Sequence, residues 1–266
     1  VNIWAVANQK GGVGKTTTAV SLSGWLSLRG EKTLLVDLDP HGSMTSYFGR
    51  DPDELEHGVY QLFQRAVNKE KFDATSLVLK TRFQNLDILP SSTALATLDR
   101  QLGTRDGMGL VLARALLALQ DQYQHVFIDC PPMLGVLMIN ALAACDKLLI
   151  PVQTEFLALK GLERMLNTLA MINRARKRPL RYTIIPTLYD RRTRASLETL
   201  RILRKRYPSS KLAKTVIPVD TQFREASMLG IPLPIHSTTT RGSAAYNVLL
   251  DELLKSGGQL DDRAVG

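Results

Sequence analysis

Cysteine is nearly absent: Cys130 and Cys145 are the two in 266 residues, and nothing in their spacing suggests a metal site. That excludes a disulfide framework and fits a reducing compartment. Apolar runs long enough to cross a bilayer are also missing; the longest are strand-sized, such as Lys147 to Val152. The first residues lack a basic stretch followed by an apolar core and a small-residue cleavage site, so no secretory signal is expected and the chain reads as cytoplasmic. Histidine is scarce, and His41, His57, His125 and His236 form no visible constellation for acid–base chemistry. No internal repeat, low-complexity tract or clear linker divides the chain.

What is present is an apolar content of 44% and an alternation of short β-rich runs with longer helical stretches. The spacing predicts strands over 2–8, 32–37, 86–89, 125–129, 147–152, 181–185 and 215–217. It predicts helices over 16–29, 109–120, 155–173 and 243–255, the first stopped by Gly30. In the 155–173 helix, Leu159, Leu162, Met165, Leu166 and Leu169 fall on one side. Strands separated by helices imply βαβ units, hence an α/β fold with a mostly parallel twisted sheet and helices on both faces. Residues 1–255 read as one domain and 256–266 as a flexible polar tail. Ligands of such folds bind beyond the carboxyl ends of the strands, which points to the segments after Ala7, Asp37 and Asp129.

The strongest local signal is Asn8-Gln-Lys-Gly-Gly-Val-Gly-Lys-Thr-Thr17, between an expected strand and an expected helix. Gly11, Gly12 and Gly14 let the backbone curl so that its N–H groups converge on phosphate oxygens. Lys15 can reach the β- and γ-phosphates, and the Thr16 hydroxyl can ligate Mg2+. Val13 and Thr17 complete the candidate phosphate cradle. The strict pattern fails at one place, because Gln9 stands where the first glycine belongs and Lys10 directly precedes Gly11.

Lys10-Gly-Gly-Val-Gly-Lys15-Thr16 resembles the deviant Walker A motif of the ParA/MinD ATPases. The similarity continues, in order, through Leu34 to Pro40, Phe127 to Pro132, Pro151 to Glu155 and Thr215 to Pro218. It implies a three-layer P-loop NTPase fold, ATP and Mg2+ as cofactors, and slow, partner-stimulated hydrolysis. In that family the lysine matching Lys10 crosses a nucleotide-sandwich homodimer to the partner's phosphates. A lysine fixed on the loop would then reward dimerisation only when a γ-phosphate is present.

Three carboxylates accompany the loop. Asp37 and Asp39 end the second strand, two residues apart, and are expected to face the phosphates together. The resemblance assigns Asp39 to orienting the attacking water and Asp37 to supporting the site. Hydrolysis of this kind depends more on in-line placement and charge neutralisation than on a strong base. Asp129, at the end of an apolar strand, reads as Walker B; Thr16, Asp39 and Asp129 make up the candidate metal set. No Asn-Lys-x-Asp guanine signature appears at the expected late strand, where Thr187 to Asp190 stands. The resemblance favours adenine, with Pro218 nearby.

The formal charge of +9 is regional: residues 174–214 hold fourteen Lys/Arg against Asp190 and Glu198. Arg174, Arg176, Lys177 and Arg178 form one cluster, and Arg191, Arg192 and Arg194 another. In the helix after Thr193, Leu197, Leu200, Leu203 and Tyr207 read as the inner face and Arg194, Arg201 and Lys205 as an outer stripe. Such a stripe suits sequence-independent phosphate contacts, and ParA relatives bind DNA non-specifically as ATP dimers. The sequence departs from DNA-partition relatives in reading Pro218-Val-Asp-Thr-Gln222 where two basic residues stand in them, with Arg224 close by. The 218–234 stretch looks more like relatives that position protein cargo, such as the ParC-like subgroup acting on polar chemotaxis clusters. Membrane docking as in MinD would need a basic amphipathic C-terminal helix, and Tyr246 to Lys255 carries too few cations. The reading is an ATP-dependent dimerisation switch with a ParB-like or cargo-adaptor partner. The competing readings are a metabolic ATP-dependent enzyme on the same scaffold and a MinD-like membrane-associated ATPase.

Overall fold

Leucine-rich and β-branched runs that are apolar on both sides form the centre of one seven-stranded sheet in the computed structural model, which describes residues 1–55, 57–70, 73–102 and 107–258. In chain order the elements are β1 (Asn2–Val6), α1 (Lys15–Leu28), β2 (Thr33–Asp37), α2 (Ser43–Tyr47), α3 (Val59–Val67), β3 (Leu79–Lys80), β4 (Leu86–Leu89), α4 (Leu95–Leu102) and α5 (Val111–Leu119). Then come β5 (His125–Asp129), α6 (Val136–Ala144), β6 (Lys147–Gln153), α7 (Phe156–Ala175), β7 (Arg181–Thr187), α8 (Arg194–Arg206), α9 (Gln222–Leu229), α10 (Leu233–His236) and α11 (Arg241–Gly258). The strand order is β3-β4-β2-β5-β1-β6-β7; every neighbouring pair is parallel except β3 with β4.

All residues of β2, β4 and β5 are buried, as expected for a parallel sheet covered on both faces. One face packs through Ala5, Leu34, Val36 and Ile128 on α3 to α7, with Leu203 of α8. The other packs through Val6, Leu35, Phe127 and Leu149 on α1 and α11. Helix α1 is buried on most of its surface because it lies between the sheet and the α10–α11 pair. Its small residues permit that: at Gly24 a Cβ would stand 2.9 Å from Pro232 Cβ. Its polar side chains are satisfied locally; Thr18 shares a 2.8 Å hydrogen bond with Tyr246, and Ser27 donates to Gln84 O at 2.6 Å.

Three expectations change. Residues 215–217 do not form a regular strand. The segment runs beside β7, bridging Ile184 to Leu212 and Tyr189 to Pro218. Between those bridges stands Pro186, which has no N–H to continue a ladder. The N–H groups of Lys214 and Thr215 donate instead to the Glu252 carboxylate. The last helix also runs past its expected end, through Gly258, so residues 256–258 belong to α11; the rest of the expected tail lies outside the described residues. In α8 the expected inner face shifts: Ser196, Thr199, Leu200 and Leu203 are buried, and Leu197 is 49% exposed.

Candidate nucleotide site

The sheet order builds the site. β1 and β2 are consecutive in the chain but separated by β5, so the carboxyl ends of all three strands lie side by side. In register, Asp129 pairs with Val6 on one side and with Asp37 on the other. The glycine-rich loop leaves β1 at that edge.

Gly12 (φ +73°) and Gly14 (φ +88°) adopt left-handed conformations that other residues disfavour. A Cβ at Gly11, Gly12 or Gly14 would meet nothing within 4 Å, so their outer sides are open. α1 begins from Gly14 with no side-chain cap and no acidic residue in its first turn. Its first N–H groups therefore lack a side-chain acceptor at the N-cap, the condition in which a helix start takes an anion. The loop is held from behind, with Thr187 of β7 donating to Val13 O at 2.8 Å. Lys15 is buried, and its charge acts on Asp129.

Thr16 Oγ1 donates to Asp129 Oδ2 at 2.5 Å. The other oxygen, Oδ1, is buried and has no hydrogen-bond partner among the described residues. Burial, and next the charge of Asp37, push the Asp129 carboxyl well above the usual carboxylate range. A buried, under-satisfied carboxylate joined to a hydroxyl at a phosphate loop is the donor set that a hard divalent cation takes, so Mg2+ fits here.

Asp37 and Asp39 do not act as a matched pair. Asp37 is fully buried and faces α2: Oδ2 accepts from Thr45 N at 2.8 Å and Thr45 Oγ1 at 2.7 Å, and Oδ1 accepts from Asp39 N at 3.1 Å. Burial raises its pKa, against the lowering pull of Thr45. It organises the turn that carries Asp39. Asp39 lies beyond the end of β2, where strand alternation no longer governs direction. Its Oδ1 accepts from His41 N and meets His41 Nδ1 at 2.9 Å. Ser91 Oγ holds the Asp39 carbonyl at 2.7 Å.

Lys10 forms an ion pair with Glu155, at the start of α7. Glu155, Thr45 and Thr187 are not legible as site residues in the sequence; Glu155 stands in the 151–155 run that carries part of the resemblance, but no spacing links it to Lys10. Pro218 is placed beside Tyr189, with Tyr189 N donating to Ile217 O and Val219 N to Tyr189 O. This puts it just beyond the carboxyl end of β7, the strand that ends at Thr187.

The basic residues fall into separate places. Arg194, Arg201 and Lys205 are exposed on α8, with Arg201 paired to Glu198; Arg191 and Arg192 precede that helix, and Arg192 pairs with Asp190 at 2.8 Å. Arg174, Lys177 and Arg178 are exposed around the C-terminal end of α7. Arg176 is committed to the fold, donating to Leu142 O at 2.8 Å at the end of α6. Arg224 sits on α9, which packs with α10 in the layer that covers the opposite face from α8, so the fold does not bring it to the α8 stripe.

These features define a P-loop nucleotide hydrolase. The family model described as an AAA domain matches residues 1–182. The sporulation initiation inhibitor protein Soj of Bacillus subtilis is 37% identical over 256 residues, covering 96% of this chain and 99% of that protein. The chromosome partitioning protein ParA of Caulobacter vibrioides is 32% identical, covering 96% and 94%. Among solved structures, cobyrinic acid a,c-diamide synthase from Mycobacterium smegmatis with bound ADP and magnesium superposes with a TM-score of 0.81 at 33% identity, covering 97% and 96%. The chain belongs to the ParA/Soj family of P-loop ATPases.

Proposed function

We propose that this ATPase is a positioning switch: ATP closes a homodimer, the dimer holds its anchoring surface or cargo, and slow hydrolysis releases it. The observation that carries the reading is the joining of Thr16 to a buried, half-satisfied Asp129 at the open mouth of the glycine loop. The cofactors are ATP and Mg2+, in keeping with the M. smegmatis neighbour solved with a bound ATP analogue and magnesium. ATP supplies a transferable γ-phosphoryl group. The chain's own part is to bind and orient. The N–H groups of Gly11 to Thr17 and the Lys15 ammonium hold phosphate oxygens, Thr16 and Asp129 hold the cation, and Asp39 orients water. Lys10 would serve the second copy's phosphates, and Pro218 would help to hold the adenine. Positioning and charge neutralisation then account for catalysis without a strong base.

Non-specific DNA is the anchoring surface this reading assigns to α8. Arg204, Lys205 and Arg206 lie in the last turn of α8, where the helix dipole alone favours cations. Arg194 opens the helix and Arg191 lies just before it, at the end where the dipole disfavours cations, and Arg192 beside them is already paired with Asp190. Cations placed against a local preference point to an external anion, and a phosphate backbone supplies one. The 218–222 departure from the DNA-partition pattern favours a protein cargo, recruited by an adaptor that also stimulates hydrolysis. Among the described residues no helix is long and apolar enough to cross a membrane; the switch works in the cytoplasm.

Size-exclusion chromatography of Asp39→Ala with ATP tests the switch. A trapped dimer that fails to form with Lys15→Ala is expected; a persistent Asp39→Ala monomer at saturating ATP rejects it.

A further inference from the structure

Lys10 is anchored at its base, and only its tip is held by a partner it can leave. Its N–H donates to Asn8 Oδ1 at 3.1 Å, and Asn8 Nδ2 donates to Pro151 O at 2.7 Å. The neighbouring Gln9 donates through Nε2 to Thr168 Oγ1 on α7 at 2.7 Å. Lys10 Cβ itself lies against Gly161 of α7, where an added Cβ would come within 3.1 Å. Residues 8–10 are therefore held on β6 and α7, and the outer side chain of Lys10 is what can change partner.

That tip is held by Glu155. Glu155 occupies the N-cap position of α7 (φ −136°, ψ 155°), yet its side chain makes no capping hydrogen bond and turns to Lys10 instead. The two side chains are 28% and 39% exposed, so a second copy can reach the pair. Directly after Glu155, Phe156 and Leu157 are 66% and 65% exposed, an apolar border suited to contact with another protein surface.

We propose that Glu155 is a latch on Lys10. It holds the lysine on its own chain, and Lys10 reaches a second copy's phosphates only by leaving it. The inference rests on the reading above that Lys10 acts across a dimer, and it adds the residue that sets the threshold. One ammonium cannot satisfy Glu155 and a partner's phosphate at once. A γ-phosphate outcompetes a single carboxylate because it carries more charge and more acceptor oxygens. A diphosphate offers less, and the lysine stays home. Glu155 is thus a positioning residue that weakens dimerisation overall and sharpens its dependence on ATP over ADP.

Sedimentation velocity over a range of protein concentrations tests this, with Mg2+ and either a non-hydrolysable ATP analogue or ADP. A partly exposed ion pair is worth a few-fold, and each dimer breaks two, so Glu155→Gln should lower the dimer dissociation constant roughly tenfold with the analogue. It should also bring detectable dimer with ADP. Glu155→Ala should do the same, and Glu155→Asp should restore wild-type behaviour. Lys10→Ala and the Lys10→Ala/Glu155→Gln double variant should both stay monomeric, showing that the effect passes through Lys10. Binding of a fluorescent ATP analogue to the monomer and the melting temperature should be unchanged. Equal or weaker dimerisation by both Glu155→Gln and Glu155→Ala, with nucleotide binding and melting intact, overturns the latch alone, provided wild type dimerises and Lys10→Ala does not. A wild type that stays monomeric with the analogue overturns the dimer reading and the latch together.

Discussion

Asp37 and Asp129 are direct partners across the β2–β5 ladder, each the last residue of its strand and each buried. The charge of Asp37 opposes the ionisation of Asp129, and burial opposes that of both. The fold therefore carries a cost at this edge, offset at Asp37 by the hydrogen bonds from Thr45 and Asp39 and left open at Asp129 Oδ1.

From this follows the behaviour of Asp129→Asn. The amide keeps the shape and can still accept from Thr16, but it offers no charge to a cation. Hydrolysis should fall by roughly 100-fold or more, since a metal-held charge is worth several kcal/mol in such a reaction. Melting temperature should stay level or rise, because the charged form of this buried carboxyl is already penalised and the amide never carries that charge. An ATPase assay and calorimetry on the same sample check both halves.

The α8 stripe makes a prediction in salt. Wild type with ATP should bind duplex DNA without sequence preference, with affinity falling linearly in the logarithm of salt concentration. Replacing Arg194, Arg201 and Lys205 by Glu should abolish that binding and leave ATP-dependent dimerisation in place. Fluorescence anisotropy at several salt concentrations measures it; equal binding by the triple variant rejects the α8 assignment.

Gly24→Ala should destabilise the protein although alanine is the better helix former. Its Cβ would stand 2.9 Å from Pro232 Cβ and 3.4 Å from Pro234 Cδ. Proline rings are rigid, so α10 must move off α1. Overpacking costs about 1–3 kcal/mol, against a gain of at most about 1 kcal/mol from helix propensity. The melting temperature should drop by a few degrees in calorimetry.

Lys147, buried at the start of β6, has its pKa lowered to about 8, mainly by burial and next by Arg181, with Glu252 pulling the other way. Between that value and the ordinary lysine range the unfolded chain carries more protons than the folded one. The contribution of Lys147 to stability therefore increases as pH rises through that window, and its charged form is the penalised one below it. Chemical denaturation of wild type and Lys147→Met at pH 7, 8.5 and 10 should show wild type gaining on the variant as pH rises. A constant difference across the three pH values would reject this.

Much of the site was legible because its pieces are local. The loop from Gly11 to Thr17 encodes its own curl through glycine, and Asp129 announces itself as a carboxylate closing an apolar strand. Helix α1 was bounded by Gly30, whose φ of +80° ends it. Short helices such as α3 and α9 escaped the sequence reading because their apolar faces span barely two turns. The 215–217 segment has strand composition, but whether it joins a ladder depends on Pro186 of β7, some thirty residues away in the chain.

The chain by itself determined the phosphate loop, the parallel α/β order and the regional basic charge, since each rests on spacing within a few residues or on simple sums. Only the tertiary structure decided that Asp37 turns to Thr45, that Arg176 is spent on α6, that Arg224 lies away from α8, and that Lys10 meets Glu155. Those outcomes depend on the order of strands in the sheet and on which helix faces pack. That is a property of contacts distant in sequence, which no local pattern encodes.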